Sequence, residues 1–248
     1  WNTPRRKNNI VWVKFNLKFH SPLSGAFNIG GWMTKVKIID SIMGSGKTTA
    51  IFKYMRDNPH KKYLYISPFL SEVGDGNDPE KHKGRIHEEL PELRFIAPRN
   101  MGEGKKNTLE NLLVDGRNIS STHALFASFD SNTAKLLRDN EYTLIIDEAV
   151  DVVHIYDKID SSDVDVLIGS DMVYTEHSTG HLLHWNYDKY PHYTGERFAD
   201  IKNLCDIGCL YLYKDTIVMW ELPKEVINQA KETYIMTYLF DGSVMKCW

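Results

Sequence analysis

The run Gly44-Ser45-Gly46-Lys47-Thr48 combines the residue types needed to hold a polyphosphate. Glycine reaches positive φ without steric penalty, so a Gly-x-Gly loop can curl until successive N–H groups converge on an anion. Lys47 then places a point charge on the β- and γ-phosphates, and the Thr48 hydroxyl reaches a Mg²⁺ ion. The nucleotide contacts expected from this pattern are Met43, Gly44, Ser45, Gly46, Lys47, Thr48 and Thr49. Such a loop needs a strand before it and a helix after it, whose N-terminus adds a positive dipole end. The sequence predicts both. A strand covers Val36–Asp40, and a helix covers Thr48–Asp57, with Ala50, Ile51, Tyr54 and Met55 at helical spacing. Ser41 stands where the full pattern has its first glycine.

Hydrolysis requires carboxylates at the end of another strand. Leu144-Ile145-Ile146-Asp147-Glu148 supplies them, with Asp147 one hundred residues after Lys47. Asp147 is expected to hold the Mg²⁺, directly or through water. Glu148 is expected to orient and deprotonate the attacking water. Lys47 and Glu148 are therefore the expected catalytic pair, and Thr48 and Asp147 the metal pair.

The elements that must position these groups alternate. Further strands are expected at Lys62–Ser67, stopped by Pro68, at Leu93–Ala97, closed by Pro98, and at Tyr142–Ile146. Asn118–Phe126 reads as a strand or strand-like turn. Helices are expected late in 71–91, at Thr108–Val114 and at Ser131–Arg138, and Gly102–Lys106 as a basic loop. This rhythm predicts an α/β fold with a mostly parallel sheet and helices on both faces. Beyond Val153 the pattern weakens, and 157–209 reads as an irregular insertion before the last strand. A hairpin is expected at Leu210–Tyr213 and Thr216–Trp220 around Lys214-Asp215. A helix at Lys224–Lys231 and a strand at Tyr234–Leu239 follow.

Composition excludes several classes. The chain has 248 residues, 42% of them hydrophobic and 25% charged, which suits a soluble globular body. No run approaches the roughly 18 apolar residues of a membrane span. Three cysteines, Cys205, Cys209 and Cys247, cannot build a disulfide framework or a four-cysteine iron–sulfur site. Residues 1–32 hold Arg5, Arg6, Lys7, Lys14 and Lys18 and no acid, and the remainder carries 25 basic against 33 acidic residues. The first methionine is Met33, so 1–32 is read as an extension outside the fold. No apolar stretch follows Arg5-Arg6-Lys7 to make it a secretory signal.

Other clusters have plain readings. His177, His181 and His184, beside Glu176, have helical spacing, but Gly180 interrupts it, and they read as surface histidines. Arg99, Lys105 and Lys106 flank a glycine loop and could meet phosphates of a bound strand. Trp185, Tyr187, Tyr190 and Tyr193 read as packing within the insertion.

Gly44–Thr48 together with Asp147-Glu148-Ala149-Val150 resembles the first RecA-like domain of superfamily 2, DEAD-like helicases, whose metal box has the form Asp-Glu-Ala-x. Tyr65-Ile66-Ser67-Pro68 resembles motif Ia of that group. Asn118–Phe126 resembles its strand-borne motif, whose threonine here is Thr122. Thr237, within Tyr234–Leu239, lies at the motif III position, where only the threonine matches. Thr122-His123-Ala124-Leu125-Phe126 with Thr237-Tyr238-Leu239-Phe240 is similar to helicase-like proteins of bacteriophages.

The resemblance implies a P-loop NTPase (RecA-like) fold over 33–248, with ATP and Mg²⁺ as ligands. It implies nucleic-acid contacts at Ser67, Pro68, Thr122 and His123, and a coupling role for Thr237. The second RecA-like domain, with its arginine fingers, has no counterpart in the sequence. The expectation is a fragment of a longer protein, or an ATPase completed by a partner. Its expected work is as the motor domain of a helicase or translocase in bacterial or phage-infected cytoplasm, on DNA ahead of RNA. A phage packaging or assembly ATPase and a nucleotide-gated binding module are the alternatives.

Overall fold

A computed structural model describes residues 35–42, 44–102, 104–148, 150–176, 181–222 and 224–238. The chain divides into units Trp1–Trp32 and Met33–Trp248, and the described residues belong to the second. The extension 1–32, Met43, Ala149, His177, Leu239 and Cys247 lie outside the described residues.

The first part of the chain runs β1 (Lys35–Asp40), α1 (Lys47–Asp57), β2 (Lys62–Ser67), α2 (Leu70–Val73), α3 (Arg85–Glu89) and α4 (Lys105–Val114). It continues with β3 (Ile119–Thr122), α5 (His123–Phe126), α6 (Ser131–Asp139) and β4 (Tyr142–Asp147). Next come β5 (Val153–Ile155), α7 (Ser161–Gly169), β6 (Val173–Thr175), β7 (Leu183–Trp185), α8 (Ala199–Ile207), β8 (Leu210–Tyr213) and β9 (Ile217–Glu221). Helix α9 (Lys224–Gln229) and β10 (Glu232–Thr237) close the described chain.

Five strands form one parallel sheet in the order β1-β10-β4-β2-β3. Its strands read as near-continuous apolar runs because both faces are covered. Side chains alternate between those faces. Tyr63, Tyr65, Ile145, Tyr234 and Met236 pack with Ile51, Phe52 and Met55 of α1 and Ile86 of α3. Leu64, Ile66, Leu144, Ile146 and Ile235 pack with Leu109 and Leu113 of α4, Leu137 of α6 and Val226 of α9. The architecture is therefore α/β, with a five-stranded parallel sheet between helical layers.

Three expectations are corrected. Gly102–Lys106 is not a loop throughout, since Lys105 and Lys106 open the first turn of α4. Leu93–Ala97 is no full strand: it contributes one bridge, Ile96 to Ile119. A 3₁₀ turn over Pro91–Leu93 consumes its start, Arg94 takes φ 51°, and Pro98 has no N–H to extend the ladder. The insertion is not irregular either. Within 157–209 lie α7, the ribbon β6-β7 and α8, and an antiparallel sheet β5-β9-β8 flanks them, with β5 before and β8-β9 after. Asp160 and Asp163 start α7 with a reciprocal capping box. The expected hairpin forms between β8 and β9, with Lys214 and Asp215 at φ 51° and 57°. Asp215 is among the residues that tolerate the left-handed turn that matches strand twist, and Lys214 adopts it beside Asp215.

The insertion shares its core with the parallel sheet. Trp185, Phe198, Ile201, Cys205, Leu210 and Trp220 belong to the same buried cluster as Leu64, Leu144 and Ile146. Leu210→Ala should therefore destabilise the whole Met33–Trp248 unit, by about 2–5 kcal/mol. Urea unfolding followed by far-UV circular dichroism and by tryptophan fluorescence should give one coincident, shifted transition. Two separate transitions would identify the insertion as an independent domain.

Candidate active site

Parallel pairing brings the C-terminal ends of all five strands to one edge of the sheet, where open α/β sheets bind ligands. The glycine loop leaves β1 at that edge. Gly44 and Gly46 have φ 73° and 87°, and a Cβ at either would meet nothing within 4 Å. Backbone conformation, not space, therefore requires glycine here. Ser45 N–H donates to Ile42 O at 3.2 Å, closing the turn. Gly46 is the N-cap of α1 and offers no side-chain cap, so the first N–H groups of that helix have no intrahelical partner. Lys47 Nζ donates to Ser41 O at 2.7 Å and lies 3.4 Å from Ile42 O. An anion in the loop would exchange these neutral acceptors for charged oxygens. Thr48 is half-buried and Thr49 exposed.

Asp147 ends β4 and is only 7% exposed. Its Oδ2 accepts from the Tyr65 hydroxyl at 2.9 Å and from Ser67 Oγ at 3.4 Å. Burial holds the Asp147 carboxyl above the usual carboxylate range, opposed by these hydrogen bonds and by the positive charges of His123 and Lys47. Burial and the Asp147 charge push the Tyr65 phenol far up, so it remains a donor. Glu72 on α2 belongs to the same electrostatic neighbourhood. Burial raises its pKa, the nearby Arg85 lowers it, and the Asp147 charge raises it. Its Oε2 is buried without a hydrogen-bond partner among the described residues, and its Oε1 lies 3.7 Å from Arg85 Nη1. Among the described residues no three or more His, Cys, Asp or Glu side chains gather as ligands for a metal ion, so a cation here would rest on Asp147 with non-acidic partners. The uncapped α1 terminus and Lys47 offer N–H groups and a positive charge of the kind that receive an anion.

Glu148 follows Asp147, half-buried, with φ 63°. Thr237 at the end of β10 is buried, and its carbonyl accepts from Ser41 N–H at 3.1 Å. In register, Asp40 faces Thr237 and Met236 faces Asp147. Thr237 thus sits between the glycine-loop strand and the carboxylate strand.

The expected nucleic-acid residues divide. Pro68 is exposed at the sheet edge beside Phe69, which is 56% exposed. Ser67 is fully buried, so its hydroxyl serves Asp147 instead of offering a surface to a strand. Thr122 Oγ1 accepts from Leu125 N–H and caps α5. His123 turns inward: its Nε2 lies 2.9 Å from the Asp147 carbonyl oxygen. A carbonyl only accepts, so Nε2 carries a proton. Burial lowers the ring's pKa, a shift the same hydrogen bond opposes.

Sequence reasoning missed Tyr65, Glu72 and Arg85. The signal for Tyr65 was its phase, since Tyr63, Tyr65 and Ser67 alternate onto one face. Lys105 and Lys106 are ion-paired with Asp75 and Asp130, so neither stands free for a strand. Arg99 lines a cavity of about 290 Å³ with Lys83, His82 and Phe95, away from the glycine loop. His184 lies on β7 and stacks on Tyr174. Cys205 and Cys209 are buried thiols, both pushed up to about 12 by burial. No helix among the described residues is long and apolar enough to cross a membrane.

Comparison with known proteins gives two findings. Residues 153–220 match the family described as the YonV middle domain. That stretch begins at β5 and ends within β9, so it corresponds to the inserted module. The chain is also similar to the SPbeta prophage-derived uncharacterized protein YonV of Bacillus subtilis (strain 168). The two are 34% identical over an alignment of 224 residues that covers 86% of this chain. The chain spans about half the length of that relative (51%).

The raised pKa of Asp147 has a consequence for stability. A folded carboxyl with a pKa above its unfolded value favours folding when protonated, and that contribution is lost as pH rises through the folded pKa. Asp147→Asn removes the buried charge, so it should raise the melting temperature at neutral pH. Each kcal/mol relieved is worth about 2–4 °C. The gain should vanish below the ordinary carboxylate range, where both proteins are neutral at this position. Calorimetry from acid to neutral pH checks this, and a variant less stable than wild type at pH 7 would refute it.

Proposed function

We propose that this chain is the ATP-binding motor domain of a helicase or translocase of the superfamily 2 type, hydrolysing ATP in response to nucleic acid, with DNA ahead of RNA as the strand. The observation that carries this reading is the meeting of three groups at one sheet edge. These are the uncapped α1 terminus with Lys47, the Asp147-Glu148 pair, and the Thr122 turn bonded to Asp147 through His123. A simple nucleotide-binding module has no use for the third.

In this reading the Gly44–Thr49 N–H groups and Lys47 bind and orient the phosphates. Thr48 and Asp147 would hold Mg²⁺, which supplies neutralising charge for the transferred phosphoryl group. Tyr65 and Ser67 keep the Asp147 carboxylate aimed, and Glu148 accepts the proton of the attacking water. Thr237 bridges β1 and β4 and is placed to pass a change at the phosphates into the sheet. A second RecA-like domain, from a longer chain or a partner, would add the arginine finger, worth about 10³–10⁵ in rate. A prophage-derived relative supports a role inside a phage-infected bacterial cell.

The test uses binding of a fluorescent ATP analogue and phosphate release, with and without single-stranded DNA, duplex DNA or RNA. Polynucleotide should stimulate turnover several-fold. Lys47→Ala should lose nucleotide binding. Glu148→Gln should bind nucleotide like wild type and turn over about 10²–10⁴-fold more slowly. A wild-type protein that binds no ATP, or that no polynucleotide stimulates, would sink the proposal.

A further inference from the structure

Glu148 has a left-handed backbone, φ 63°. A residue with a Cβ rarely adopts this region, because the side chain crowds its own carbonyl there. Such a conformation stores backbone strain that neighbouring contacts must offset. The peptide joining Asp147 to Glu148 is the one the contacts around it reach. Rotation of that peptide plane sets the φ of Glu148, and the plane's oxygen is the Asp147 carbonyl.

That oxygen is held from a distance. His123 Nε2 donates to it at 2.9 Å, although His123 begins α5 at the end of β3, and β3 does not neighbour β4. Strand β2 lies between them. Its last residue, Ser67, pairs with Thr122 in register and puts its own hydroxyl 3.4 Å from the Asp147 carboxylate. The imidazole therefore reaches past the end of one strand to grip the next. Tyr65 and Ser67 hold the Asp147 side chain while His123 holds its carbonyl. With both ends secured, the peptide plane cannot turn without breaking a hydrogen bond.

We infer that His123 is a positioning residue that, through the Asp147 carbonyl, holds Glu148 in its left-handed conformation and so ties the aim of that carboxylate to the β3–α5 turn. The role of Glu148 as water-activating base rests on the proposed function above; the grip itself does not. The grip gives the turn a route to the hydrolytic site. Thr122 Oγ1 caps α5 through Leu125 N–H, so whatever binds or shifts this short turn moves the next residue, His123. A strand seated at Thr122 would act on Glu148 without touching it.

The experiment compares wild type, His123→Ala and His123→Gln. Glutamine keeps an N–H donor near the position of Nε2 and guards against a fold lost with the ring. The first readout is the backbone of Glu148 in crystal structures of the three proteins. Glu148 should stay left-handed in wild type and His123→Gln and relax to negative φ in His123→Ala. The second readout is steady-state ATP turnover with single-stranded DNA present. For His123→Ala, kcat should fall about 10–100-fold, the usual loss when a supporting hydrogen-bond partner is removed. Its KM for ATP should stay within about twofold of wild type, since substrate binding is not the step affected. His123→Gln should recover most of the lost rate. Glu148 left-handed in all three proteins would overturn the inference, whether or not the chain hydrolyses ATP. So would a raised KM at unchanged kcat. A wild type that binds no ATP would instead refute the functional reading, leaving the grip to be judged by the Glu148 backbone alone.

Discussion

Parallel pairing is the constraint on which the rest of the molecule depends. Neighbouring parallel strands cannot be joined by a tight turn, so each connection must cross back over a face of the sheet. In this chain those crossings bury both faces, one under α1–α3 and the other under α4, α6 and α9. They also leave every strand's C-terminal end on a single edge. Lys47 and Asp147, one hundred residues apart in sequence, become electrostatic neighbours for this reason alone. Inserting β10 between β1 and β4 adds Thr237 to the same edge.

The edge is where the apolar sheet meets charge, and the local structure shows the strain of that meeting. Asp147 is nearly as buried as the isoleucines before it. Desolvation outweighs the two hydroxyl donors and the more distant positive charges, so the carboxylate remains disfavoured in the folded chain. Glu72 adds a second acid with a buried, unpartnered oxygen. A fold optimised only for stability would place an amide or an apolar residue at these positions.

How much of this was legible follows from where the information sits. The Gly44–Thr48 loop and the Leu144–Asp147 run are local patterns, with backbone demands and burial written in consecutive residues. The hairpin at Lys214-Asp215 was legible for the same reason. Strands β5, β6 and β7 have three residues each, too few for alternation to register. The strand read at Leu93–Ala97 had the right composition but too little room between Pro91 and Pro98. Ser67 and His123 were expected at a nucleic-acid strand, and their side chains meet Asp147. A resemblance supplies the residue, whereas the partner, Asp147, comes from a strand 80 residues on in one case and 24 in the other.

The inserted module sharpens the picture at Glu148. Its first and last strands, β5 and β9, pair with each other, with His154 opposite Trp220. The module's own entry and exit are therefore adjacent, and Leu222 N–H donates back to Val152 O at 2.8 Å. Such a module can differ in its far loops without disturbing the parallel sheet. It is not loosely hung, because Val150 and Val152, just before it, are buried in the common core. Glu148 consequently lies between two anchors: the His123–Asp147 hydrogen bond on one side and the buried valines on the other. A left-handed residue between fixed ends can respond in discrete steps instead of drifting, because releasing either anchor lets the backbone fall to its ordinary region. The same geometry that makes Glu148 costly to hold makes its position a property of the whole sheet edge.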